Sequence, residues 1–484
     1  SDHMKVRVLY FEDILAHIFA QVCRQPGLSW VISEIFNYED SEIYIEAVKR
    51  SGEKLDDFVG KSFGEISEMM KNSIAIGIQR GTQIILNPNP RTEIFKAGDK
   101  IIHLAEDDNR IELISDIDKE KIYVNVKQKE EEPKPYNLLV FGWSVPLPEI
   151  IHEIDDYAVR GGTVRILTRH KSEDEVSTVC PYYKKRRSKK AKRGVDDIGE
   201  LIHLKRVHED PIDPYDWENV KAHLEKEGIW TDSENRPTDI LILCQDGIDK
   251  VEADERAAVL LLNIRHYLSE KKLDKEINIT TEMNLPENQV LLQHTSVNDF
   301  IVGSEIANRM MVQVANNTSI YSIFTELLND DGAEIYLKDI TEYVDDIDSE
   351  FSFKDIERAA RSRVDLPGEN KQEIALGWIK SGDHMEKPEV VLNPTGDLKT
   401  KKFPEKIQGE NIKIVVLANN QSTIQILRKM VSDNNIEAMR KALDENNMVT
   451  DKYTMHLMKT AQEEGKTDMY NILYEYAVRH GFLK

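Results

Sequence analysis

Long hydrophobic runs are missing from this sequence of 484 residues. A helix that spans a bilayer needs about 18 or more consecutive apolar residues, so we expect no membrane-spanning helix. Cysteine is also scarce, and Cys23, Cys180 and Cys244 are scattered and odd in number. They provide neither a disulfide framework nor a zinc site and are typical of a reducing compartment. The sequence therefore predicts a soluble protein of the cytosol, and its length predicts several domains.

Basic residues are outnumbered by acidic ones, and the net charge is −23. A surface of that sign repels phosphate backbones, so nucleic acid is not an expected partner. The basic run at residues 184–193 departs from this balance; it lacks apolar periodicity and is typical of an exposed loop. Such a loop can lie against anionic lipid headgroups. A solvated insertion without a partner is the alternative that the sequence leaves open.

The motifs of common enzyme chemistries are missing too. The sequence has no phosphate-binding loop, no His-Glu-x-x-His and no Cys-x-x-Cys. A dinucleotide site needs three spaced glycines in the first strand-to-helix turn, whereas residues 142–148 hold one glycine, Trp143 and two prolines. The second strand ends in Thr168 and Arg169, where an NAD site would have an acidic residue. We therefore expect no NAD binding and no enzymatic activity.

An internal repeat organises the chain. Both copies have two helices, an acidic turn, and Glu-Ile-Tyr followed by an aliphatic residue, at residues 42–45 and 334–337. Each copy continues into a β-rich stretch that holds Leu-Asn-Pro, at residues 86–88 and 392–394, and then reaches an apolar strand that ends in Leu-Ala. Matched landmarks in the same order predict two α+β units of the same fold.

The pattern changes between the two copies. Buried strands are predicted at residues 137–143, 164–168, 201–204, 239–244 and 277–282, and helices at 146–157 and 251–268. Strands that alternate with helices predict a Rossmann-like doubly wound parallel sheet, so the fold class is α/β with an α+β unit before and after the sheet. Residues 420–484 predict a C-terminal helical segment of four short helices, at residues 422–430, 435–443, 450–463 and 467–478.

Acidic residues follow the predicted strand ends. Asp246 comes just after the fourth strand, and Glu282 closes the fifth. The carboxyl ends of parallel strands meet at the edge where such sheets bind ligands, and hard cations such as Ca²⁺ prefer carboxylate and carbonyl oxygens. Asp330 and Asp331 lie in the acidic turn of the second repeat. These four residues are candidate Ca²⁺ ligands, and the alternative for each is a solvated turn or a helix cap.

The combined landmarks resemble a known family. Phe-Gly-Trp at residues 141–143, Asp-Ile-Leu-Ile-Leu at 239–243, Gln-Pro-Gly-Leu at 25–28 and the stretch at 98–108 are similar to the Castor/Pollux branch of proteins with regulator-of-K⁺-conductance (RCK) domains. The resemblance covers residues 8–420. It implies tandem RCK modules, each with a Rossmann-like N-lobe and an α+β C-lobe. Helices at residues 12–24 and 299–314 would cross over between paired modules.

Pattern and resemblance together divide the chain into four parts. Residues 5–129 are predicted to form the C-terminal lobe of a first RCK module, and residues 136–298 the Rossmann-like N-lobe of a second. Residues 299–419 would supply the crossover helices and C-lobe of that second module, and residues 420–484 a helical domain. The resemblance also implies that the sheet of the first module and any membrane segment are absent from this sequence.

The resemblance implies a function as well. It indicates the ligand-sensing gating ring of a cation channel, on the cytoplasmic face of the cell membrane. Subunits would self-associate into dimers and a ring and act on a transmembrane pore domain of the same or a partner chain. The ligand, Ca²⁺ in the plant members, would be coupled to opening. Two alternatives stay open: a TrkA-type nucleotide-binding regulatory subunit of a potassium transporter, and a nucleotide-dependent enzyme.

Overall fold

The computed structural model describes a defined part of the chain: residues 11–37, 41–46, 58–106, 112–114, 136–157, 162–168, 202–206, 212–231, 236–274, 276–288, 299–327, 333–344, 351–365, 372–381, 388–396, 399, 411–419, 427, 430–431, 434–445 and 451–479. No helix within these residues is long and apolar enough to cross a membrane.

The chain divides into two compact units. Unit 1 comprises Ser1–Arg24, Glu132–Leu285 and Gln421–Lys484, and unit 2 comprises Gln25–Glu131 and Pro286–Asn420. Each unit is therefore assembled from segments that are distant in sequence. The predicted four-part division along the chain stays a prediction.

The helices and strands are numbered in chain order. They are α1 (Phe11–Arg24), α2 (Leu28–Ile35), β1 (Glu42–Glu46), α3 (Phe63–Met69), β2 (Ile74–Arg80), β3 (Gln83–Leu86), β4 (Lys100–Ala105), β5 (Asn137–Phe141), α4 (Leu147–Tyr157), β6 (Gly162–Leu167), β7 (Ile202–Arg206), α5 (Trp217–Lys226), β8 (Asp239–Ile242), α6 (Lys250–Lys271), β9 (Asn278–Met283), β10 (Asp299–Val302), α7 (Gly303–Asn316), α8 (Ile320–Leu327), β11 (Ala333–Asp339), α9 (Phe353–Ser362), β12 (Glu373–Ser381), β13 (Glu389–Leu392), β14 (Asn411–Asn419), α10 (Ile436–Glu445), α11 (Asp451–Glu463) and α12 (Thr467–Arg479).

Unit 1 is built around a parallel sheet with the strand order β7-β6-β5-β8-β9. The central strands β5 and β8 are buried along their whole length, which explains their continuous apolar sequence. Chain order reverses between β5 and β8, and such a switch point opens a crevice at the carboxyl ends of the strands. The predicted Rossmann-like sheet is confirmed. Helix α5, which was not predicted, also belongs to this unit.

Helix α1 packs against α4 and the neighbouring strands β8 and β9 within unit 1. Its apolar positions Ile18 and Phe19 are fully buried. At the other end of the chain, α12 packs on α10 and α11. The helices predicted near residues 435–443, 450–463 and 467–478 are confirmed. The one predicted at residues 422–430 lies mostly outside the described residues.

Unit 2 contains two lobes of the same topology. The first lobe is an antiparallel sheet of order β1-β4-β2-β3 with helix α3, and the second is a sheet of order β11-β14-β12-β13 with helix α9. Strand for strand the orders are equivalent, which confirms the internal repeat. The crossover segment differs from expectation, because residues 299–302 form strand β10 and the helix begins at Gly303.

The two lobes share one further sequence motif, which the predicted repeat did not include. Ile-Ala-x-Gly occurs at residues 74–77 and 374–377, and in both lobes the strand carries a β-bulge between the alanine and the glycine. A Cβ on Gly77 would lie 2.5 Å from the main-chain oxygen of Ile85. Glycine is required there because the hairpin partner approaches the backbone too closely for any side chain.

Helices are exchanged between the lobes of unit 2. Helix α2, from the first repeat, packs on β13 of the second lobe, and α8, from the second repeat, packs on β3 of the first. The start of α2 is fixed by a distant carboxylate, because Asp299 accepts hydrogen bonds from Gly27 N (2.8 Å) and Ser29 N (2.9 Å). The exchange joins the two lobes into one unit.

Candidate functional site

The carboxyl edge of the parallel sheet begins at a single glycine. Gly142 follows β5 with a φ of 91°, and its N–H donates to Leu167 O across 2.9 Å. A Cβ at this position would lie 2.7 Å from the Tyr215 hydroxyl oxygen and 3.0 Å from Leu243 O. The left-handed backbone and the close neighbours both require glycine here. Neighbouring protein atoms therefore explain why residue 142 is glycine, and no bound phosphate is needed to account for it.

Tyr215 fills the crevice at the switch point between β5 and β8. Its hydroxyl donates to Leu243 O, the carbonyl just beyond β8. Burial raises the pKa of Tyr215 above its usual value, and the charges of Cys244, Glu282 and Asp213 add to the shift. The phenol therefore stays protonated and keeps its hydrogen bond. It stands where a pyrophosphate would approach the glycine turn of a dinucleotide fold.

Cys244 joins the ends of β8 and β9. Its main-chain N–H donates to Glu282 Oε2 (2.9 Å). Its thiol lies 3.2 Å from Glu282 O and 3.4 Å from Asp254 Oδ1. Burial, followed by the charges of Glu282 and Asp254, raises the pKa of the Cys244 thiol above its usual value. The group stays a neutral thiol and is not an activated nucleophile.

Asp254 is the buried carboxylate of this edge, with 1% of its surface exposed. It projects from α6 and accepts hydrogen bonds from Asn284 N (2.8 Å), Asn284 Nδ2 (2.9 Å) and Leu285 N (3.0 Å). A buried charge is tolerated where several donors face it. Asp254 therefore holds the turn that follows β9, and its negative charge contributes to the field around Glu282.

Glu282 is a carboxyl group of this edge with a strongly shifted pKa. Its pKa is raised to about 7: burial is the largest cause, the Cys244 N–H works in the opposite direction, and the charges of Asp246 and Asp254 add to the rise. Glu282 thus exchanges a proton near neutral pH. Asp246 is exposed at the same edge. A cation at this place would replace the proton and relieve the repulsion among the three carboxylates.

The four predicted ligands have different outcomes. Glu282 and Asp246 lie at one edge and act on each other electrostatically, whereas Asp330 and Asp331 lie outside the described residues. Other acids of this stretch have structural roles: Asp249 caps α6 by accepting from Val251 N (2.9 Å), and Glu252 pairs with Arg256 (2.7 Å). Among the described residues, no group of three or more His, Cys, Asp or Glu side chains could hold a metal ion.

Two contributors to this edge were missed by sequence reasoning. Tyr215 reaches the crevice from the loop before α5, and no periodicity marks that loop. Cys244 was seen only as one of three scattered cysteines, although its place directly after a buried strand was a usable signal. Arg169 and the basic run at residues 184–193 lie outside the described residues.

Comparison with known proteins finds similarity to Castor and Pollux ion channels. The family model described as "Castor and Pollux, part of voltage-gated ion channel" matches residues 12–121. A "Probable ion channel POLLUX" of Arabidopsis thaliana is 23% identical over 82% of this chain and 47% of its own length. The "Ion channel CASTOR" of Lotus japonicus is 23% identical over 75% of this chain and 42% of its own length. These matches agree with the resemblance to Castor/Pollux proteins that the sequence motifs indicated.

The fold is similar to that of a solved gating ring. The human SLO3 gating ring aligns with 85% of this chain and 76% of its own, with a TM-score of 0.53 and 14% identity. This likeness supports the predicted RCK fold. The Castor/Pollux relatives are named as ion channels and not as enzymes, in agreement with what the sequence motifs led us to expect of this chain. The chain spans less than half the length of each of these two relatives.

Proposed function

We propose that this Castor/Pollux-type chain is the ligand-sensing part of a channel gating ring and that a cation, Ca²⁺ in the first instance, binds at the carboxyl edge of its parallel sheet. One observation carries the proposal: Glu282 lies at the end of β9 near Asp246 and the buried Asp254, and its burial and these two charges raise its pKa to about 7. Like charges held close together favour cation binding. Perturbed carboxylates are also more frequent at functional sites than elsewhere.

The donor set accounts for part of a Ca²⁺ site. Ca²⁺ takes about six to eight oxygens, and Glu282 and Asp246 offer two carboxylates. Asp254 is already engaged with three donor groups, so it contributes charge rather than coordination. Main-chain oxygens and water would have to complete the shell. An ion held by few protein groups is expected to bind weakly and to respond to changes in ion concentration.

Coupling would begin with the Glu282–Cys244 hydrogen bond. A cation that draws the Glu282 carboxylate toward Asp246 changes its bond to the Cys244 N–H, which links the ends of β8 and β9. Conformational coupling requires that the cation bind two arrangements of the edge with different affinity. Copies of this chain would assemble into the ring and transmit the change to a transmembrane pore domain at the cytoplasmic face of the membrane. The conducted ion would be a cation.

A nucleotide-binding regulatory subunit is the second candidate, and the Tyr215 hydroxyl in the switch-point crevice argues against it. A dinucleotide would have to displace that group and lose its bond to Leu243 O. We therefore expect no stabilisation by NAD or ATP in a thermal-shift assay. A clear rise in melting temperature with either nucleotide would favour the TrkA-type alternative.

Calorimetric titration of Ca²⁺ into chelator-stripped protein tests the main proposal. Three chains are compared: the parent, Glu282→Gln, and Glu437→Gln as a control with an exposed acid on α10. We expect saturable binding by the parent and the control, and binding at least tenfold weaker in Glu282→Gln. Equal binding by all three chains would place the site elsewhere. Absence of binding by the parent would overturn Ca²⁺ as the ligand.

A further inference from the structure

The two lobes of unit 2 carry helices that correspond position by position. Ser62 caps α3 through a capping box with Glu65, and Ser352 caps α9 through a capping box with Asp355. Phe63 and Phe353 follow the two serines, and both are fully buried. Counted from the capping serines, Glu68 of the first lobe occupies the same helical position as Arg358 of the second.

These two equivalent residues contact each other. Arg358 donates to Glu68 Oε1 from Nε (2.9 Å) and Nη2 (2.6 Å), and Arg361 donates to Glu68 Oε2. Glu68 is 5% exposed and Arg358 is 9% exposed. In a pair of similar units related by a two-fold rotation, a residue meets its own counterpart only beside the axis. The Glu68–Arg358 pair therefore marks the pseudo-two-fold axis of the lobes.

A small cavity lies at the same axis. Its volume is about 10 Å³, and it is lined by residues of both lobes, among them the equivalent pairs Ile74 with Ile374 and Ala75 with Ala375. Ser67 and its counterpart Glu357 also line it. Matched residues from both lobes around one space agree with the axis that the Glu68–Arg358 pair defines.

Charge is distributed unequally across the axis. The second lobe brings the buried cations Lys354, Arg358 and Lys399, together with Arg361. Lys354 and Lys399 pair with Glu357 of their own lobe (3.1 and 3.2 Å). Burial works to raise the pKa of Glu357, but Lys354, Lys399 and Arg361 outweigh it and lower the pKa to about 2. With Glu357 occupied in this way, Glu68 of the first lobe supplies the carboxylate for Arg358 and Arg361.

Pairing of like lobes would place like charges at this axis. Two first lobes would bring Glu68 against a second Glu68, and two second lobes would bring Arg358 against a second Arg358. A buried charge that faces its own sign is strongly unfavourable. By contrast, Asn87 and Asn393 are identical in type and bond to main-chain oxygens across the interface. These asparagine hydrogen bonds can form whichever two lobes are paired.

We propose that the Glu68–Arg358 ion pair selects the partner of each lobe: a first lobe accepts a second lobe and rejects the first lobe of another copy. Repulsion between wrong partners is a general source of specificity in similar interfaces. The inference concerns how lobes choose each other and does not depend on the ligand proposed for the sheet edge.

A charge exchange in the full chain tests the pair. We expect Glu68→Arg and Arg358→Glu each to lower the melting temperature by roughly 5 °C or more, because a buried charge then faces its own sign. Combining both substitutions should restore at least half of the summed loss. Exchange of the exposed pair Lys71 and Glu112, each 58% exposed, serves as a control that we expect to leave the melting temperature unchanged. A combined variant that shows the full summed loss would overturn the proposal.

A cross-link tests the rejection of like lobes. Ser67 lies beside the axis, so a disulfide between the sulfurs that Ser67→Cys introduces into two copies can form only where a first lobe meets a first lobe. We expect no covalent dimer from this substitution while Glu68 and Arg358 are present. With Glu68→Gln and Arg358→Gln added, we expect the dimer to form under oxidising conditions. A dimer in both backgrounds, or in neither, would show that the ion pair does not set the choice.

Discussion

Asn87 and Asn393 hold equivalent places in the two lobes and bond across the interface reciprocally. Asn87 Nδ2 donates to Gln372 O (2.9 Å), and Asn393 Nδ2 donates to Asn72 O (3.3 Å). Both asparagines have left-handed φ angles, 46° and 45°. Asparagine suits the position because it tolerates this conformation and carries an amide that can donate. The repeated Leu-Asn-Pro therefore forms a turn in each lobe and also supplies hydrogen bonds between the two lobes.

Two replacements of Asn87 distinguish the contribution of its hydrogen bonds from that of its left-handed backbone. Asn87→Ala loses the bonds to Gln372 O and Asn419 Oδ1 and strains the left-handed backbone, so we expect a loss of about 2–3 kcal/mol in the free energy of unfolding. Asn87→Gly loses the bonds without the strain and should cost about 1 kcal/mol less. Chemical denaturation monitored by circular dichroism measures both values. Equal losses for the two variants would show that the backbone is not strained.

The matched variants of Asn393 provide the comparison. Its bond to Asn72 O is longer than the bond of Asn87 to Gln372 O, so Asn393→Ala should cost less than Asn87→Ala. Asn393→Gly should again be milder than the alanine variant. A larger loss at Asn393 than at Asn87 would contradict the expectation that the shorter hydrogen bond, made by Asn87, contributes more to stability.

Much of the architecture could be predicted because it rests on local patterns. Continuous apolar strands between helical segments predicted the parallel sheet, and Leu-Asn-Pro with Glu-Ile-Tyr predicted two lobes of one fold. Glu282 was also predictable, since an acid that closes a parallel strand lies at the ligand edge. These inferences need only the few residues on either side of each landmark.

Contacts between distant segments could not be predicted. Glu68 and Arg358 are 290 positions apart, and on the sequence each resembles an ordinary charge of a solvated helix face. Tyr215 enters the switch-point crevice from a loop, and Asp254 of α6 accepts hydrogen bonds from the turn after β9. In every case the decisive partner belongs to another element, and local periodicity carries no information about it.

His103 is a buried histidine that should make the stability depend on pH. It is fully buried in the first lobe and stacks on Tyr44, and neither ring nitrogen has a hydrogen-bond partner among the residues that the structure describes. Burial lowers its pKa to about 4. Because the unfolded chain binds this proton more tightly, folding loses stability as pH falls from about 6.5 to about 4, by about 3 kcal/mol in total.

The second lobe indicates how to remove this dependence. Val416 occupies the position equivalent to His103, opposite Tyr336 as His103 is opposite Tyr44. We therefore expect His103→Val to fold and to weaken the fall in melting temperature between pH 6.5 and pH 4. His266→Gln replaces an exposed histidine on α6 and should leave the profile unchanged. If His103→Val and the parent lose stability equally as pH falls, His103 is not the source of the pH dependence.

Gly142 and Gly247 form a matched pair for testing the filled crevice. Both have left-handed backbones, with φ of 91° and 82°, but only at Gly142 would a Cβ meet other atoms within 4 Å. Gly247→Ala should therefore cost about 1 kcal/mol from backbone strain alone. Gly142→Ala should cost several times more, and added Tyr215→Phe should recover part of the difference by removing the hydroxyl. Equal losses at the two glycines would show that Tyr215 does not fill the crevice.

Cation binding at the sheet edge should be coupled to a proton on Glu282. Its pKa of about 7 lies above the ordinary value, so the folded chain holds a proton there at mildly acidic pH that a cation must displace. The apparent affinity for Ca²⁺ should therefore fall about tenfold between pH 8 and pH 6, with proton release on binding near pH 7.

Calorimetry in buffers of different ionisation enthalpy measures the protons released as Ca²⁺ binds. The parent should release a fraction of one proton at pH 7 and almost none at pH 8.5, where Glu282 is already ionised. Glu282→Gln should bind more weakly and release none at either pH. An affinity that does not change between pH 6 and pH 8 would mean that the ion does not contact Glu282, because no ligand can occupy that carboxylate without competing with its proton.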